Sequence, residues 1–458
     1  MAKPSLPKGM RDYLPDEMRK RKYLLNHLTE VFERYNYQPL QTPAMENLST
    51  LTEKYGEEGD QLLFRVLRSG DFTKKADLEK WEQKDSKALA GQIADKGLRY
   101  DLTVPLARLV AMHQHELQFP FKRYQVQPVW RADRPQKGRY REFYQFDGDV
   151  IGTRSMLHDG EMVLLFRDAF KRLDLEEVDI HINNRKILTG LAEKVGTENQ
   201  FANFCATLDK VDKIGLEGVA EELQKEGMNE EYLSLVKDFI ALSGRNRERL
   251  DGARKMIGDS NSGEEGIKDA EKVLSLAGAS EEDKTQVLFS PSLARGLDYY
   301  TGTIYEVTHR NVEMGSIAGG GRYDDLTSYF GLKDMPGIGI SFGVERIYDI
   351  MEELNCFPEK DIESTKVLGA NFGEETENHT FEVVHQLREH GINADMYPDA
   401  VKLKKQFNYA DKAGYTHVLV IGEEEAKAGK VQLKNLQTGE QSEVTREELL
   451  SKGVLIKE

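Results

Sequence analysis

The stretch VWRADRPQKGRYREFYQFDGDVI, residues 129–151, decides the fold. Phe121–Arg131 and Arg139–Ile151 alternate in polarity as two antiparallel strands, joined by the loop Asp133–Gly138. Residues two apart on a strand face the same way. Arg139, Arg141, Phe143, Gln145, Asp147 and Asp149 therefore share one face. Tyr140, Glu142, Tyr144, Phe146 and Val150 share the other, which holds most of the apolar side chains and is expected to pack inward. The first face mixes guanidinium, aromatic ring, amide and carboxylate. A solvated sheet face would explain this mixture. So would a pocket floor for a ligand that carries phosphate, a flat ring and an ammonium group. Arginine stays charged and forks onto phosphate oxygens. Phe143 can stack on a base, Asp149 can hold an amine, and Gln145 can donate and accept. Arg131 and Asp133 close the preceding strand opposite this face.

Outward from the strand pair, Pro15-Asp16-Glu17 opens a helix, because proline suits the first turn and acids suit the positive helix end. Leu24, Leu28, Val31, Phe32 and Tyr35 continue it at helical spacing. Tyr37–Pro43 reads as extended, Leu62–Arg68 as a strand and Val104–His115 as a helix. Gly70–Gly97, rich in charge and poor in periodicity, reads as an inserted, mostly exposed segment. Leu157–Leu173 is helical, and Arg185 to about Asp283 is a helix-rich, polar insertion. Tyr299–Thr308 returns to strand character. Gly319-Gly320-Gly321-Arg322 reads as a glycine-rich turn, and Gly337–Gly343 as an apolar strand before a helix from Val344. Near Ser364 the pattern changes. Short strands at 367–372, 394–397, 417–421 and 431–436, with helices at 376–390 and 401–413, predict a small α/β domain.

The 458 residues are 39% hydrophobic and 31% charged, enough for two or three globular domains. No apolar run has membrane-spanning length, and the opening Met-Ala-Lys-Pro-Ser-Leu-Pro has no signal-peptide character. Cys205 and Cys356 are the only cysteines and form no spacing motif, which argues against a disulfide framework or a cysteine zinc site and fits a reducing cytoplasm. The net charge of −16 weighs against non-specific coating of nucleic acid. A phosphate-binding Gly-x-x-x-x-Gly-Lys loop and a His-Glu-x-x-His zinc helix are both absent from the sequence, so metal ligands stay unassigned.

The stretch Val129–Gln145 closely resembles the second signature motif of the histidyl-tRNA synthetases, a class II synthetase family. Arg295-Gly-Leu-Asp-Tyr-Tyr300 and Ala318-Gly-Gly-Gly-Arg-Tyr-Asp324 resemble its two histidine-specific motifs. Gly337–Ile347, with Gly343-Val-Glu-Arg346, resembles the third class motif, and Pro43 suits the first, a dimer element. Lys8-Gly-Met-Arg-Asp-Tyr-Leu-Pro15 resembles the family's opening. Leu403–Asp411 and Val418–Glu425 resemble its anticodon-binding domain. The resemblance runs in order over nearly the whole chain and is weakest at about 185–283.

It implies an α+β fold: a class II catalytic domain over 1–365 with an antiparallel sheet flanked by helices, a helical insertion at about 185–285, and an α/β anticodon-binding domain over 366–458. It implies a cytoplasmic homodimer that uses L-histidine, ATP with Mg2+, and the histidine-accepting tRNA. Under it, Arg131 bridges the histidine carboxylate and the α-phosphate, and Arg295 stabilises the pentavalent phosphorus. Asp133 meets the adenine edge where the family usually has Glu. Phe143 and Arg346 sandwich adenine, and Arg139 faces the terminal phosphates. Asp101, Thr103, Gln145 and Asp149 hold the amino group and polar edge of histidine; Asp101-Leu102-Thr103 resembles the eukaryotic-type branch. Tyr299, Tyr300 and Tyr323 line the side-chain pocket. Gln136 and Lys137 meet the tRNA acceptor end, and Lys404 and Lys405, near Lys402 and Lys412, meet anticodon phosphates. The alternative is a non-catalytic paralogue such as the regulatory subunit of ATP phosphoribosyltransferase. Such paralogues usually lose the catalytic motifs and the C-terminal domain, and both are present here.

Overall fold

The computed structural model describes residues 3–52, 59, 61–279, 281, 283–295, 299–358 and 366–451. The chain divides into the units Met1–Phe357 and Pro358–Glu458. The expected boundary at 365/366 adjoins residues 359–365, which lie outside the described ones.

In the first unit the strands are, in chain order, β1 (Gln38–Pro39), β2 (Met45–Asn47), β3 (Arg65–Leu67), β4 (Ala94–Leu98), β5 (Phe121–Trp130), β6 (Glu142–Ile151), β7 (Val178–Asn184), β8 (Gln286–Phe289), β9 (Thr303–His309), β10 (Ala318–Tyr323) and β11 (Gly337–Gly343). Eight of them form one sheet in the order β1-β5-β6-β11-β10-β9-β7-β8. Its interior pairs are antiparallel, and the two outermost pairs, β1 with β5 and β7 with β8, are parallel. The predicted hairpin closes in register from Phe121↔Ile151 to Trp130↔Glu142.

Helices Pro15–Arg34, Leu157–Arg172 and Val344–Glu353 cover one sheet face. Leu24, Leu28 and Phe32 of the first, Phe166 and Phe170 of the second, and Ile347 and Met351 of the third join Phe146, Val150 and Phe342 in one fully buried core. Each such side chain contributes roughly 1.5–3 kcal/mol on leaving water. The first helix approaches so closely that a Cβ on Gly148 would overlap the Phe32 ring. With one face filled by these helices, the polar alternate positions of β6 are left to the opposite face.

The alternation does not extend to residues 139–141 as expected, because β6 begins only at Glu142. Arg141 is held elsewhere: its backbone N–H donates to the Gly9 carbonyl at 2.8 Å and its Nε donates to the Asp133 carbonyl at 3.0 Å. Tyr140, assigned to the inner face, lines the cavity instead and donates its hydroxyl to Asp349 at 3.2 Å. Ala318–Tyr323 is also not a turn. It is β10, paired on both sides with β11 and β9. Glycines are usually weak strand formers, and here they mark a place where other groups press against the backbone.

The segment Gly70–Gly97 is more ordered than its composition suggests. Asp77 and Asp85 accept backbone N–H groups at the starts of helices Leu78–Glu82 and Ser86–Ile93. The segment then ends in β4, the middle strand of a three-stranded sheet with β2 and β3. The expected strand at 62–68 pairs only over Arg65–Leu67.

The helical insertion runs from Arg185 to Leu276, between the parallel neighbours β7 and β8. Parallel neighbours require a long crossover, and this one has grown into five helices of at least eight residues beyond the first. It has its own core, including Leu188, Leu191, Phe204, Leu208, Val236, Phe239 and Leu250.

In the second unit, β12 (Lys366–Gly369), β13 (Asn393–Met396), β14 (His417–Val420), β15 (Lys430–Asn435) and β16 (Gln441–Thr445) form a sheet in the order β13-β12-β14-β15-β16. The first three are parallel, as their intervening helices Glu374–Glu389 and Leu403–Lys412 require. β16 was not anticipated from the sequence; it is exposed along most of its length and shows little apolar alternation.

Candidate active site

A cavity of about 410 Å3 opens on the sheet face left free by the helices. Phe143, Gln145, Asp147 and Asp149 of β6 form its floor, as the period of two requires. Opposite them across β11 stand Gly343, Ser341 and Gly339, paired with Gln145, Asp147 and Asp149. A Cβ on Gly339 would overlap the Asp149 carboxylate, so glycine there makes room for the acid.

Arg131, Asp133, Arg139 and Arg346 line one part of the cavity, and Asp101, Thr103, Tyr299, Tyr300, Tyr323 and Arg295 line the rest. Arg131 donates its Nε to the Tyr100 carbonyl at 3.0 Å, and its guanidinium carbon lies 4.2 Å from the Tyr100 ring centroid and 5.3 Å from that of Phe143. Arg346 donates its Nε to the Gly138 carbonyl at 2.8 Å and its Nη1 to the Ser316 carbonyl. Burial holds Arg346 below the usual arginine range, and Arg139, Arg131 and Arg295 push the same way. Four guanidiniums thus feel one another around a single cavity. At the rim, Arg139 sits 3.6 Å from Asp133. The adjacent turn pairs Gln136 with Arg139 through both backbone bonds, and Lys137 reaches Glu353 at 2.9 Å.

The part of the cavity around Asp101, Gln145 and Asp149 is crowded with hydroxyls and carboxylates. Gln145 donates its Nε2 to Ser341 Oγ at 2.7 Å. Asp101 is almost fully buried; its Oδ1 accepts the Val104 N–H at 3.1 Å and its Oδ2 accepts the Tyr299 hydroxyl at 3.4 Å. Asp149 accepts the Tyr323 hydroxyl and lies 2.6 Å from Nη2 of the fully buried Arg123. Burial pushes the Asp149 carboxyl upward, against the pull of Arg123 and the Tyr323 hydroxyl. Burial also pushes Asp147 up to about 7. The rings of Tyr299 and Tyr300 lie 4.8 Å apart, and those of Tyr299 and Tyr323 meet edge-on at 6.1 Å.

The glycines of β10 now have a physical reason. A Cβ on Gly319 would lie 2.9 Å from Nη2 of Arg295, and one on Gly321 would lie 2.8 Å from the Tyr300 ring. Arg322 points away from the cavity into a buried ion pair: its Nε donates to Asp159 Oδ1 at 3.2 Å, and its Nη1 donates to the Thr153 carbonyl at 3.2 Å. Gly296–Asp298 of the motif that begins at Arg295 lie outside the described residues.

The structure thus brings Asp101, Thr103, Arg131, Asp133, Arg139, Phe143, Gln145, Asp149, Arg295, Tyr299, Tyr300, Tyr323 and Arg346 to one cavity. Gln136 and Lys137 stand beside it without lining it. Lys404 and Lys405 are exposed on helix Leu403–Lys412 of the other unit. Sequence reasoning missed three groups. Arg123 is the buried partner of Asp149, and the hairpin register Arg123↔Asp149 would have found it. Asp209 and Lys213 come from the helical insertion and line the cavity as well. No local pattern marks them, because the insertion is brought there by packing alone.

The sequence profile described as histidyl-tRNA synthetase matches residues 9–72 and 92–347, and the profile described as anticodon binding domain matches 366–455. The unmatched stretch 73–91 lies inside the charged segment described above. The histidine–tRNA ligase of Christiangramia forsetii is 49% identical over 96% of this chain and 97% of its own length. That of Cytophaga hutchinsonii is 49% identical over 99% and 100%. The crystal structure of histidyl-tRNA synthetase from Nostoc sp. PCC 7120 superposes with a TM-score of 0.80 at 32% identity, covering 99% of both chains. With the motifs, the sheet and the C-terminal unit all in agreement, the chain belongs to the histidyl-tRNA synthetase family.

Proposed function

We propose that this cavity is where L-histidine and ATP react, and that the chain then charges its tRNA. A carboxylate oxygen of histidine attacks the α-phosphorus, the bond from that phosphorus to the bridging oxygen breaks, and pyrophosphate leaves. The 3′-terminal ribose hydroxyl of the tRNA next attacks the carbonyl of the adenylate and loses its proton, and AMP departs. Neither step needs a protein nucleophile. Position and charge stabilisation carry the work.

The observation that carries this reading is the convergence of Arg131, Arg139, Arg295 and Arg346 on one cavity. Buried or half-buried like charges repel, and a triphosphate relieves that repulsion. Arg131 spans carboxylate and α-phosphate, Arg295 meets the charge that develops on phosphorus, and Arg139 takes the terminal phosphates. Phe143 and Arg346 hold the adenine faces, and Asp133 its edge. Asp101, Thr103, Gln145 and Asp149 bind the polar edge of histidine, with Tyr299, Tyr300 and Tyr323 around the imidazole. Gln136 and Lys137 are suited to the acceptor end, and Lys404 and Lys405 to anticodon phosphates. ATP arrives as its magnesium complex. Among the described residues no group of three or more His, Cys, Asp or Glu side chains could hold a metal ion, so the phosphates would supply much of its coordination. Among the described residues no helix is long and apolar enough to cross a membrane. From the family we expect a cytoplasmic homodimer. Histidine-dependent exchange of pyrophosphate into ATP by the purified chain tests the activity. Exchange driven better by another amino acid, or none at all, overturns it.

A further inference from the structure

The floor of the cavity holds one more carboxylate than these roles use. Asp147 stands on β6 between Gln145 and Asp149 and faces the same way. It is 2% exposed, and its Oδ1 has no hydrogen-bond partner. The acids beside it are in a different state. Asp149 has Arg123 at ion-pair distance and the Tyr323 hydroxyl on its other oxygen. Asp101 accepts the Val104 N–H in the first turn of the helix Thr103–His113 and takes the Tyr299 hydroxyl. Gln145 Oε1 and Asp149 Oδ2 also lack an aligned donor, but Asp149 has its charge answered by Arg123, whereas Asp147 has no cation at ion-pair distance among the described residues.

We propose that Asp147 is a substrate-contacting residue of this site, whose unpaired Oδ1 accepts an N–H of the bound histidine and helps select that amino acid. The inference rests on the histidine-activating reading above. A buried acceptor left unpaired is unfavourable, and a site built to pair with a substrate N–H rejects amino acids that lack it. The groups that face Asp147 fit this role. Ser341 stands beside it in register on β11, Ser341 and Arg123 favour its ionised form, and Asp149 and Asp101 oppose that. A donor that arrives with the substrate would tip this balance toward the carboxylate. The competing arrangement is internal. Gln125, directly opposite on β5, also has an unpaired Oε1, and a proton held by Asp147 could join the two. In that arrangement Asp147 is a core group with no part in substrate choice.

The two arrangements separate in the full-length Asp147→Asn variant, which keeps the shape of the side chain. Substrate contact predicts that the histidine KM in ATP–pyrophosphate exchange rises by about tenfold while the ATP KM stays put. A histidine KM that changes no more than the ATP KM overturns the proposal. Unsubstituted chain that shows no histidine-dependent exchange overturns the functional reading first, so the two failures are distinct. Should the variant not fold, a co-crystal of the unsubstituted chain with histidine decides. A substrate nitrogen within about 3.5 Å of Asp147 Oδ1 supports the contact, and a longer separation overturns it.

Discussion

Arg295 holds a backbone conformation that a residue with a Cβ disfavours, with φ at 58°. Such a conformation costs on the order of 1–3 kcal/mol and persists only where surroundings fix it. Here its N–H donates to Asp209 Oδ1 at 3.0 Å, and its guanidinium reaches Glu306 at 3.2 Å. Glu306 thus holds the cation in place. Arg295→Ala should lower the exchange rate by about 10²–10³-fold, as loss of one transition-state donor does, with little change in melting temperature. Near-normal exchange would remove Arg295 from the reaction. Asp147 makes a prediction about stability. Its folded value of about 7 lies above the ordinary aspartate value of 3.8, so the folded chain binds this proton more tightly than the unfolded chain. Stability is therefore lost as pH rises through roughly 4 to 7, by at most on the order of 4 kcal/mol. Asp147→Asn escapes that loss. In thermal melts it should exceed the unsubstituted chain at pH 8, and the gap should close toward pH 4. A constant gap would mean that Asp147 does not titrate in this window.

At the scale of elements, the glycine strand β10 and the helical insertion meet at Arg295. Gly319 leaves room for its guanidinium, while Asp209, just after the insertion helix Phe201–Leu208, holds its backbone. The insertion is therefore part of the wall that sets the arginine in place. Burial raises the Asp209 carboxyl, Arg295 lowers it and Glu306 raises it, so the side chain is tuned by the residue it holds. Asp209→Ala should lower kcat by about tenfold and leave the KM for ATP and histidine within about twofold, because it would shift Arg295, the group proposed to act at the transition state. Equal losses in KM and kcat would point to collapse of the cavity instead. The polarity of the insertion and its helical periodicity were legible in the sequence. Its contact with Arg295 was not, because 86 residues separate Asp209 from Arg295 and only packing against the sheet joins them.

Across the whole molecule, the residues proposed for activation and those proposed for tRNA contact fall on different units. The cavity residues all belong to Met1–Phe357, and the exposed lysines at 404 and 405 to Pro358–Glu458. Replacing both lysines by glutamate should weaken tRNA charging by about tenfold or more and reduce its salt dependence, while ATP–pyrophosphate exchange stays unchanged. Loss of exchange in that variant would contradict the separation. The sequence by itself determined the hairpin Phe121–Ile151, the polar face of β6, the arginine and glycine motifs, and the change to an α/β unit near Ser364. Each of these is written in a local period or a short motif, and a strand places alternate side chains on opposite faces whatever lies beside it. Only the tertiary structure decided that the glycine run is a central strand, that Arg141 turns away from the floor, and that Arg123 answers Asp149. It also decided that Asp147 keeps an unpaired oxygen on the cavity floor. The face from Phe143 to Asp149 was visible from alternation alone. Which of its acids is already paired depends on the strands that lie beside β6 and on the depth of burial, and neither is encoded within any one stretch of chain.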